Sequence, residues 1–595
     1  MMNNKARKQT TPEMGDTQQQ TGKKRTRTGC ITCKIRRVKC DETKPSCLRC
    51  QAQKRTCDGY PSPSHPILSR RALAAAVRSI SAPGPAARVL AGPQSPDDVA
   101  CFDFFRHRTA PMTGSFFPSD FWSGMLLQVA HARPAVWHAT VALGALHRRW
   151  ELGFAPAKER GVDGNGVAAA VFYEKATESY RKSMALAKEI DDPLALLVLS
   201  LGLMAVTNIL GKWVDNRVHG AAGLELLGEI KRERTGYRGR CRFGSEMESV
   251  ADSFTRMDLQ NLTFSESQAP YPNLAADTNE GIKADAETFE DHLAQGDTFA
   301  SLNQAGFHLF ALIRRFLLFA GIEENMTPEE YGTMENSIRC QLLQWQQIMA
   351  EYLDTRFKPR DGPGLLTLKL YHAFLCLLLR VDITGPQTNW DRCLPHFERM
   401  VTIASAILNR NRTAHAGLAF VSLEPGIIIP LYLTATRCRH PVLRRRALEL
   451  LRTANSQEGR WHSIGAAAVA QRMIQVEEEG IQGLVPDDSY VGMINVDVSG
   501  DTRFHECAQA RLDQETTEYW LGGDQNWTSV HSWDGVLCIP ETSRVVMTGI
   551  TADIEVGRIE IEIVFSGTSG AVTRKTEDVV ISDWQEKWRI ERSIL

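Results

Sequence analysis

Apolar residues recur at helical spacing through most of the chain after residue 98. In the run from Pro134 to Gly153, a first-turn proline and a terminal glycine enclose residues that form one stripe at spacings of three and four. Similar runs span residues 172–190, 193–211, 307–319, 337–352, 365–379, 393–408 and 441–451. Because so many helices joined by short loops bury their stripes against one another, we predict a large α-helical domain over residues 98–482 and a mainly α fold.

The pattern changes beyond residue 482. The stretch RIEIEIVF (558–565) alternates isoleucine with glutamate, which is typical of a half-buried strand, and residues 490–498 and 544–550 have a similar pattern. We therefore predict a smaller strand-rich region over residues 483–595, packed on the helical domain.

Two proline-rich segments precede the helical pattern, at residues 58–66 and 81–96. Between them, apolar residues at helical spacing extend over only about one and a half heptads, whereas a sustained coiled coil needs three or four. We predict a proline-rich linker over residues 61–97. Residues 1–24 are rich in polar and basic residues, and we expect a disordered arm there.

The charge distribution changes this picture. The formal net charge of the chain is -1, yet residues 1–60 carry 15 Lys and Arg against 5 Asp and Glu. A small basic head on a larger acidic body points to a polyanionic partner for the head.

The chain contains no obvious export or membrane segment. Its first twenty residues lack the apolar core of a secretory signal, and the longest apolar stretch (194–210) is interrupted by Ser200, Thr207 and Asn208. We predict a buried helix there, no membrane partner, and a reducing compartment, in which closely spaced cysteines are metal ligands more often than disulfides.

Six cysteines lie in the basic head as two copies of one short unit. Each copy has the spacing C-x2-C-x6-C, and the second follows the first by 17 residues. The cysteines are Cys30, Cys33, Cys40, Cys47, Cys50 and Cys57. Within a copy, this spacing lets three thiolates converge from one short helix.

Two zinc ions require eight tetrahedral ligand positions, so six cysteines suffice if two of them bridge both metals. The symmetry favours Cys30 and Cys47, the first cysteine of each copy, as the bridges. So small a segment cannot bury enough apolar surface to offset the loss of chain entropy on folding. Metal binding must therefore supply the folding free energy, which makes the zinc structural. A single four-cysteine zinc ribbon on Cys30, Cys33, Cys47 and Cys50 and a set of disulfides remain as alternatives.

The first copy is the more basic of the two. Between its second and third cysteines lies KIRRVK, which has four basic residues in six, whereas QAQKRT in the second copy has two. A zinc-fixed helix would present Lys34, Arg36, Arg37 and Lys39 in a rigid arrangement that fits a DNA major groove.

This cysteine spacing resembles the DNA-binding module of the fungal Zn2Cys6 transcription factors. The stretches FDFFRHRTAPMTGSFF, ALGALHRRW and PLYLTATRCRHPVLRRRALELL are similar to the middle region of such regulators, especially those of secondary-metabolite clusters. The resemblance implies a DNA-binding domain over residues 25–60 and a regulatory role for the helical domain.

The resemblance also implies roles for single residues. One zinc ion would be held by Cys30, Cys33, Cys40 and Cys47, and the other by Cys30, Cys47, Cys50 and Cys57. Family members read CGG-like triplets from the end of the first helix, here Arg36 and Arg37. The implied phosphate contacts are Lys34, Lys39, Lys44 and Arg49.

The predicted function is that of a nuclear transcription regulator that binds double-stranded DNA, acting on RNA polymerase II genes. The basic run GKKRTRTG (22–29) supports nuclear import. Relatives often dimerise, so a homodimer and contacts with the transcription machinery are further expected partners, while no small-molecule effector is identified. The alternative is a zinc-folded interaction scaffold or corepressor without sequence-specific DNA binding.

Enzyme motifs are incomplete in this sequence. The glycine-rich stretch 164–169 follows no apolar strand, which favours a surface loop over a dinucleotide site. Ala571 replaces the final glycine of a nucleophile elbow, and Gln509 replaces the second histidine of a zinc-protease helix. We therefore predict that the chain is not an enzyme.

Overall fold

The computed structural model describes the greater part of the chain. The described residues are 33, 38, 40–43, 47–53, 57, 95–113, 119–153, 164–235, 245–264, 298–320, 327–356, 362–383, 385–414, 420–479, 538–553, 558–565 and 573–580. The chain divides into two compact units, Met1–His65 and Pro66–Leu595. The described helix of the first unit is α1 (Leu48–Ala52).

The second unit is mainly α-helical, as the apolar periodicity predicts. Its first helices are α2 (Pro96–Phe104), α3 (Ala110–Thr113), α4 (Leu126–Ala132), α5 (Pro134–Gly153), α6 (Gly164–Leu186), α7 (Pro193–Ile209), α8 (Trp213–Thr235) and α9 (Ser245–Thr263). They are followed by α10 (Leu302–Ala320), α11 (Pro328–Thr355), α12 (Gly362–Arg380), α13 (Leu394–Ala414), α14 (Ile428–Arg437), α15 (Pro441–Ala454) and α16 (Ser463–Glu479). π-Helical turns lie at Phe105–Thr109 and Phe121–Met125.

Local signals place several helix ends where the sequence predicts them. Helix α5 begins at Pro134 and ends at Gly153, which confirms that prediction. At α7, the Asp192 carboxylate accepts from the backbone N–H of Leu194, and Pro193 occupies the first turn. The predicted surface loop at residues 164–169 is wrong, because α6 begins at Gly164.

The helices bury two hydrophobic clusters that interlock. The first cluster is built from α2 to α9, and the second from α9 to α16. Leu423, which lies late in the chain, packs into the first cluster, and Met112, which lies early, packs into the second. Helix α7 lies almost wholly inside the first cluster, so the apolar stretch 194–210 is a buried helix as predicted. Among the described helices, none combines the length and apolar character needed to cross a membrane.

A buried polar joint links the two halves of the helical body. The Glu424 carboxylate accepts from Nε1 of Trp122 at 2.7 Å and from Nε of Arg256 at 2.5 Å. Arg256 also pairs with Asp252, and both Arg256 and Glu424 are about 1% exposed. Because these charged groups are shielded from water, each of them must keep its partner at hydrogen-bonding distance, and this requirement restricts how the two halves pack.

A small sheet that the helical pattern does not predict lies within the second half. Strand β1 (Phe420–Ser422) pairs in parallel with β2 (Ser456–Glu458), which pairs antiparallel with β3 (Trp461–His462). The Glu458 carboxylate accepts from the backbone N–H groups of residues 426–428 at 3.0 to 3.1 Å and so satisfies donors at the start of α14. Strands of two or three residues are too short to leave a periodic signal.

The C-terminal region contains a three-stranded antiparallel meander, in the same compact unit as the helices. Its strands are β4 (Val545–Asp553), β5 (Arg558–Phe565) and β6 (Thr573–Val580). The predicted strands at 544–550 and 558–565 are confirmed, and the predicted strand at 490–498 lies outside the described residues. Ile563 and Val564 are both buried, so this end of β5 is covered on both faces rather than half-buried.

The start of β4 is held on the helical body by charged side chains. Arg437 donates to the carbonyl oxygens of Val545 and Val546 at 2.9 and 2.7 Å. Arg544 forms a bidentate pair with Asp391 at 2.8 and 2.7 Å. Residues 544–546, which lie within the region predicted to pack on the helices, are therefore attached to the helical body by polar contacts.

Candidate zinc centre and nucleic-acid interface

The described cysteines of the first unit bring their sulfur atoms together. Sγ of Cys33 lies 3.6 Å from Sγ of Cys47 and 3.8 Å from Sγ of Cys50. Zinc–thiolate bonds of about 2.3 Å in a tetrahedron place neighbouring sulfurs about 3.8 Å apart, so the spacing of Cys33 and Cys47 suits two ligands of one zinc ion. Apart from the half-buried Cys57, the clustered thiols are buried, although few apolar side chains surround them.

Two groups of three cysteines lie within the reach of a metal ion. Cys33, Cys40 and Cys47 form one group and Cys47, Cys50 and Cys57 form the other, with all ligand atoms of a group within 4.8 Å of one another. Cys47 belongs to both groups, as expected of a thiolate that bridges two metal ions. Cys30, the other predicted bridge, lies outside the described residues.

Backbone N–H groups also point at the sulfur atoms. The N–H of Glu42 donates to Cys40 at 3.4 Å, that of Cys47 to Cys57 at 3.3 Å, and that of Cys50 to Cys47 at 3.3 Å. Such donors stabilise thiolates, the form in which cysteine binds zinc. The donor set therefore fits structural zinc, which would supply the folding free energy that the small apolar core lacks.

Asp41 ties the two copies of the cysteine unit together. It directly follows Cys40 of the first copy, and its carboxylate accepts from the backbone N–H groups of Leu48 at 3.0 Å and Arg49 at 2.7 Å in α1 of the second copy. The hydroxyl of Thr43 also donates to it. The Thr43 hydroxyl and the backbone donors hold the pKa of Asp41 below its usual range.

We expect Asp41→Ala to lower the thermal midpoint of the zinc-loaded first unit and to speed the loss of zinc to a chelator. The physical reason is that the N–H groups of Leu48 and Arg49 lose their acceptor at the start of α1. Chelator-induced zinc release, followed with a metal-sensitive dye on the full chain, measures the effect. Glu42→Gln removes a charge from the neighbouring residue and serves as the control; equal release rates for both variants would contradict the capping role.

The structure describes one of the predicted DNA-contacting residues. Arg49 lies on α1 and is exposed, as a phosphate contact requires. The other predicted contacts lie outside the described residues, as do the basic run 22–29 and the linker helix pattern 67–80; those contacts are Lys34, Arg36, Arg37, Lys39 and Lys44. Sequence reasoning missed Asp41, and its position directly after Cys40 is the signal that could have marked it.

Two segments of the chain match the models of known domain families. Residues 28–66 match the model of the fungal Zn(2)-Cys(6) binuclear cluster domain, and residues 100–272 match that of the fungal specific transcription factor domain. The second match begins within α2 and extends past the end of α9. It therefore covers most of the first half of the helical body.

Several curated relatives share parts of the chain. Over 40 residues, 7% of this chain, it is 62% identical to the transcriptional regulatory protein moc3 of Schizosaccharomyces pombe, and it covers 8% of that protein. It is 34% identical over 139 residues, 21% of the chain, to the aspercryptin biosynthesis cluster-specific transcription regulator atnN of Emericella nidulans, and covers 22% of it. It is 32% identical over 123 residues, 20% of the chain, to the transcription regulator lscL of Purpureocillium lilacinum, and covers 29% of it.

These matches span less than a third of the length of each relative. No solved structure is significantly similar to the chain. The chain therefore contains a fungal Zn(2)-Cys(6) binuclear cluster domain and a fungal specific transcription factor domain, which is the pair of domains found in fungal Zn2Cys6 transcription factors.

These domain matches confirm two predictions. The six-cysteine centre of the family holds two zinc ions, and the clustered sulfurs fit that cofactor. The matched domains are those of transcription factors rather than enzymes, in agreement with the predicted class.

Proposed function

We propose that the protein is a nuclear regulator of RNA polymerase II transcription that reads CGG-like triplets through its zinc-cluster module. The observation that carries this proposal is the convergence of five cysteine sulfurs, with Cys47 common to both groups. The basic stretch 34–39 lies between two of these cysteines in the sequence. The clustered sulfurs of Cys33, Cys40 and Cys47 support one zinc ion, and those of Cys47, Cys50 and Cys57 support the other. The proposal adds Cys30 as the fourth ligand of both ions.

The proposed reading of DNA divides the basic residues into two roles. Arg36 and Arg37 donate paired hydrogen bonds to O6 and N7 of guanine in the major groove. The phosphate contacts are Lys34, Lys39, Lys44 and Arg49, and these position the module without reading sequence. The exposure of Arg49 on α1 is consistent with such a contact.

The proposed target genes are those of a secondary-metabolite cluster. Support comes from atnN, whose name describes a regulator specific to a biosynthesis cluster and which is 34% identical to this chain over 139 residues. A further match is the pestheic acid cluster transcriptional regulator 3 of Pestalotiopsis fici, 58% identical over 36 residues, 6% of each chain. The helical body is then the regulatory part of the protein.

We expect Arg36→Ala and Arg37→Ala to lower the preference for G-containing triplets by about 1 to 3 kcal/mol each, because each removes a base-specific contact. Selection of bound sites from random duplexes with the full chain, together with chromatin occupancy of the same variants in cells, measures this preference.

Lys39→Ala is the matched control, since the loss of a phosphate contact weakens binding to all sequences and reduces the salt dependence by about one counterion. Unchanged selected sites in both arginine variants would overturn the assignment of base contacts. Binding to duplex DNA without any sequence preference at any salt concentration would favour the interaction-scaffold function instead.

A further inference from the structure

The buried joint between the two halves of the helical body has more acidic than basic groups. Arg256 on α9 pairs with two carboxylates, Glu424 in the segment after β1 and Asp252 one turn earlier on α9. The side chains of Arg256 and Glu424 are each 1% exposed, and that of Asp252 is 13% exposed. Because one guanidinium group faces two acids, ionisation of both acids leaves one uncompensated negative charge in the interior.

The two carboxylates differ in the hydrogen bonds that they accept. Glu424 accepts from Nε1 of Trp122 through Oε1 and from Nε of Arg256 through Oε2. Asp252 accepts from Nη1 of Arg256 through Oδ2, while its Oδ1 atom is buried and has no hydrogen-bond partner in the described part of the chain. Since more donors stabilise the anion of Glu424, Asp252 is the acid that gains more from binding a proton.

The segment 423–428 connects this joint to the second half of the body. At its start, Glu424 bonds to the first half, and Leu423 packs into the first hydrophobic cluster. At its end, three backbone N–H groups donate to the Glu458 carboxylate on β2. A change in the strength with which Arg256 holds Glu424 therefore acts directly on the contact between the two halves.

We infer that this joint is a proton-controlled latch between the two halves of the helical body. In mildly acidic surroundings Asp252 carries a proton, so that Arg256 and Glu424 balance one another. At higher pH Asp252 ionises and adds a second buried negative charge, which competes with Glu424 for the guanidinium group. This competition favours opening of the joint, which lets water reach the charged groups.

The surroundings of Asp252 fix the direction of this effect. Burial and, to a smaller extent, Glu424 raise the pKa of Asp252 from 3.8 to about 6, although Arg256 lowers it. Among the described residues these are the charged groups that act on Asp252, and the nearby π-helical turn contributes the neutral indole of Trp122. An acid with a raised pKa stabilises the closed state at low pH, and this contribution is lost as pH rises through about 6.

Hydrogen exchange of the zinc-loaded full chain, followed by mass spectrometry between about pH 5.5 and pH 7.5, tests the latch. Exchange rates at residues 252–260 and 423–424 are corrected for the intrinsic pH dependence of amide exchange. We expect Asp252 to contribute about a fourfold increase in the corrected rates over this range. This factor follows from a pKa of about 6 in the closed joint and of 3.8 in the open one.

Two variants remove the excess acid in different ways. Asp252→Asn keeps an acceptor for Arg256 but cannot ionise, so the fourfold contribution should be absent. Glu424→Gln leaves Asp252 and Arg256 as a one-to-one pair, which should shift the increase to lower pH. Asp258→Asn on the same helix is the matched control, since Asp258 forms a one-to-one pair with Arg314 at 2.7 Å, and it should keep the wild-type increase.

Glu458 can titrate in the same pH range, because burial raises its pKa to about 7. The comparison of wild type with Asp252→Asn cancels this contribution, and repeating it in Glu458→Gln removes the contribution directly. The same pH dependence in wild type and in folded Asp252→Asn overturns the inference. So does an increase in Glu424→Gln that occurs over the wild-type pH range.

Discussion

Replacement of Cys47 by alanine is expected to lower the zinc content of the full chain from two ions to less than one and to abolish specific binding to duplex DNA. Cys47 belongs to both groups of clustered sulfurs, so its loss removes a ligand from each metal. Because each structural zinc contributes about 10 to 16 kcal/mol to folding of such a module, weakened coordination leaves the basic residues on an unfolded segment. Metal analysis of the purified protein and DNA binding by fluorescence anisotropy measure the two effects.

Cys57→Ala is the matched comparison for Cys47→Ala. Cys57 belongs to one group alone, so this variant should keep about one zinc ion and should lose less specific DNA binding than Cys47→Ala does. Cys538→Ala, at an exposed thiol in the other compact unit, should keep both ions. Equal zinc losses in Cys47→Ala and Cys57→Ala would show that Cys47 does not bridge.

Glu477→Gln is expected to destabilise the helical body by about 3 to 5 kcal/mol. The Glu477 carboxylate lies 2.8 Å from Nη2 of Arg439 and 2.6 Å from Nη2 of Arg444, and all three side chains are fully buried. It also accepts from the backbone N–H of Val545 at 2.9 Å. Without its charge, two guanidinium groups remain in the interior with no compensating anion among the residues that the structure describes. Chemical denaturation of the full chain measures the change.

Glu479→Gln is the control on the same helix. Glu479 pairs with Arg472 at 2.9 Å, but its side chain is 45% exposed, so solvent screening limits the pair to within about 0.5 kcal/mol. A similar loss of stability in both variants would contradict the assigned role of the buried triad.

The effect of Glu477 should also depend on pH. Burial alone would raise its pKa, but Arg439 and Arg444 outweigh burial and hold the pKa below the ordinary value of 4.5. A carboxyl group with a lowered pKa in the folded state stabilises the fold at neutral pH, and this contribution is lost as pH falls below about 4.5. The difference between wild type and Glu477→Gln should therefore shrink in acid, which denaturation series at several pH values will test.

Much of the secondary structure was predictable because its signals are local. An apolar stripe at helical spacing, a first-turn proline or an Ile/Glu alternation involves residues that are close together in the sequence, as in α5, α7 and β5. The surface-loop prediction for residues 164–169 was wrong, since the missing strand argues against a dinucleotide site but not against a helix. Strands β1 to β3 left no signal because each has two or three residues.

The clustering of the described cysteines was also predictable, because the cysteines of a binuclear cluster lie within 28 residues and tetrahedral zinc constrains their spacing. The cap that Asp41 provides for α1 was not predictable from the sequence. Its carboxylate accepts from N–H groups seven and eight residues away, in a segment whose path depends on the bound metal.

By itself, the sequence determined the zinc-cluster domain, the zinc-ligating residue type and the helical character of the body, since each rests on a repeated local pattern. Tertiary structure alone decided which buried polar groups meet. Trp122 and Glu424 are 302 residues apart, Val545 reaches Glu477 from 68 residues away, and His372 meets Gln346 across two helices. Pairing at such distances depends on how helices pack against one another, and neither periodicity nor residue type encodes that arrangement in a single sequence.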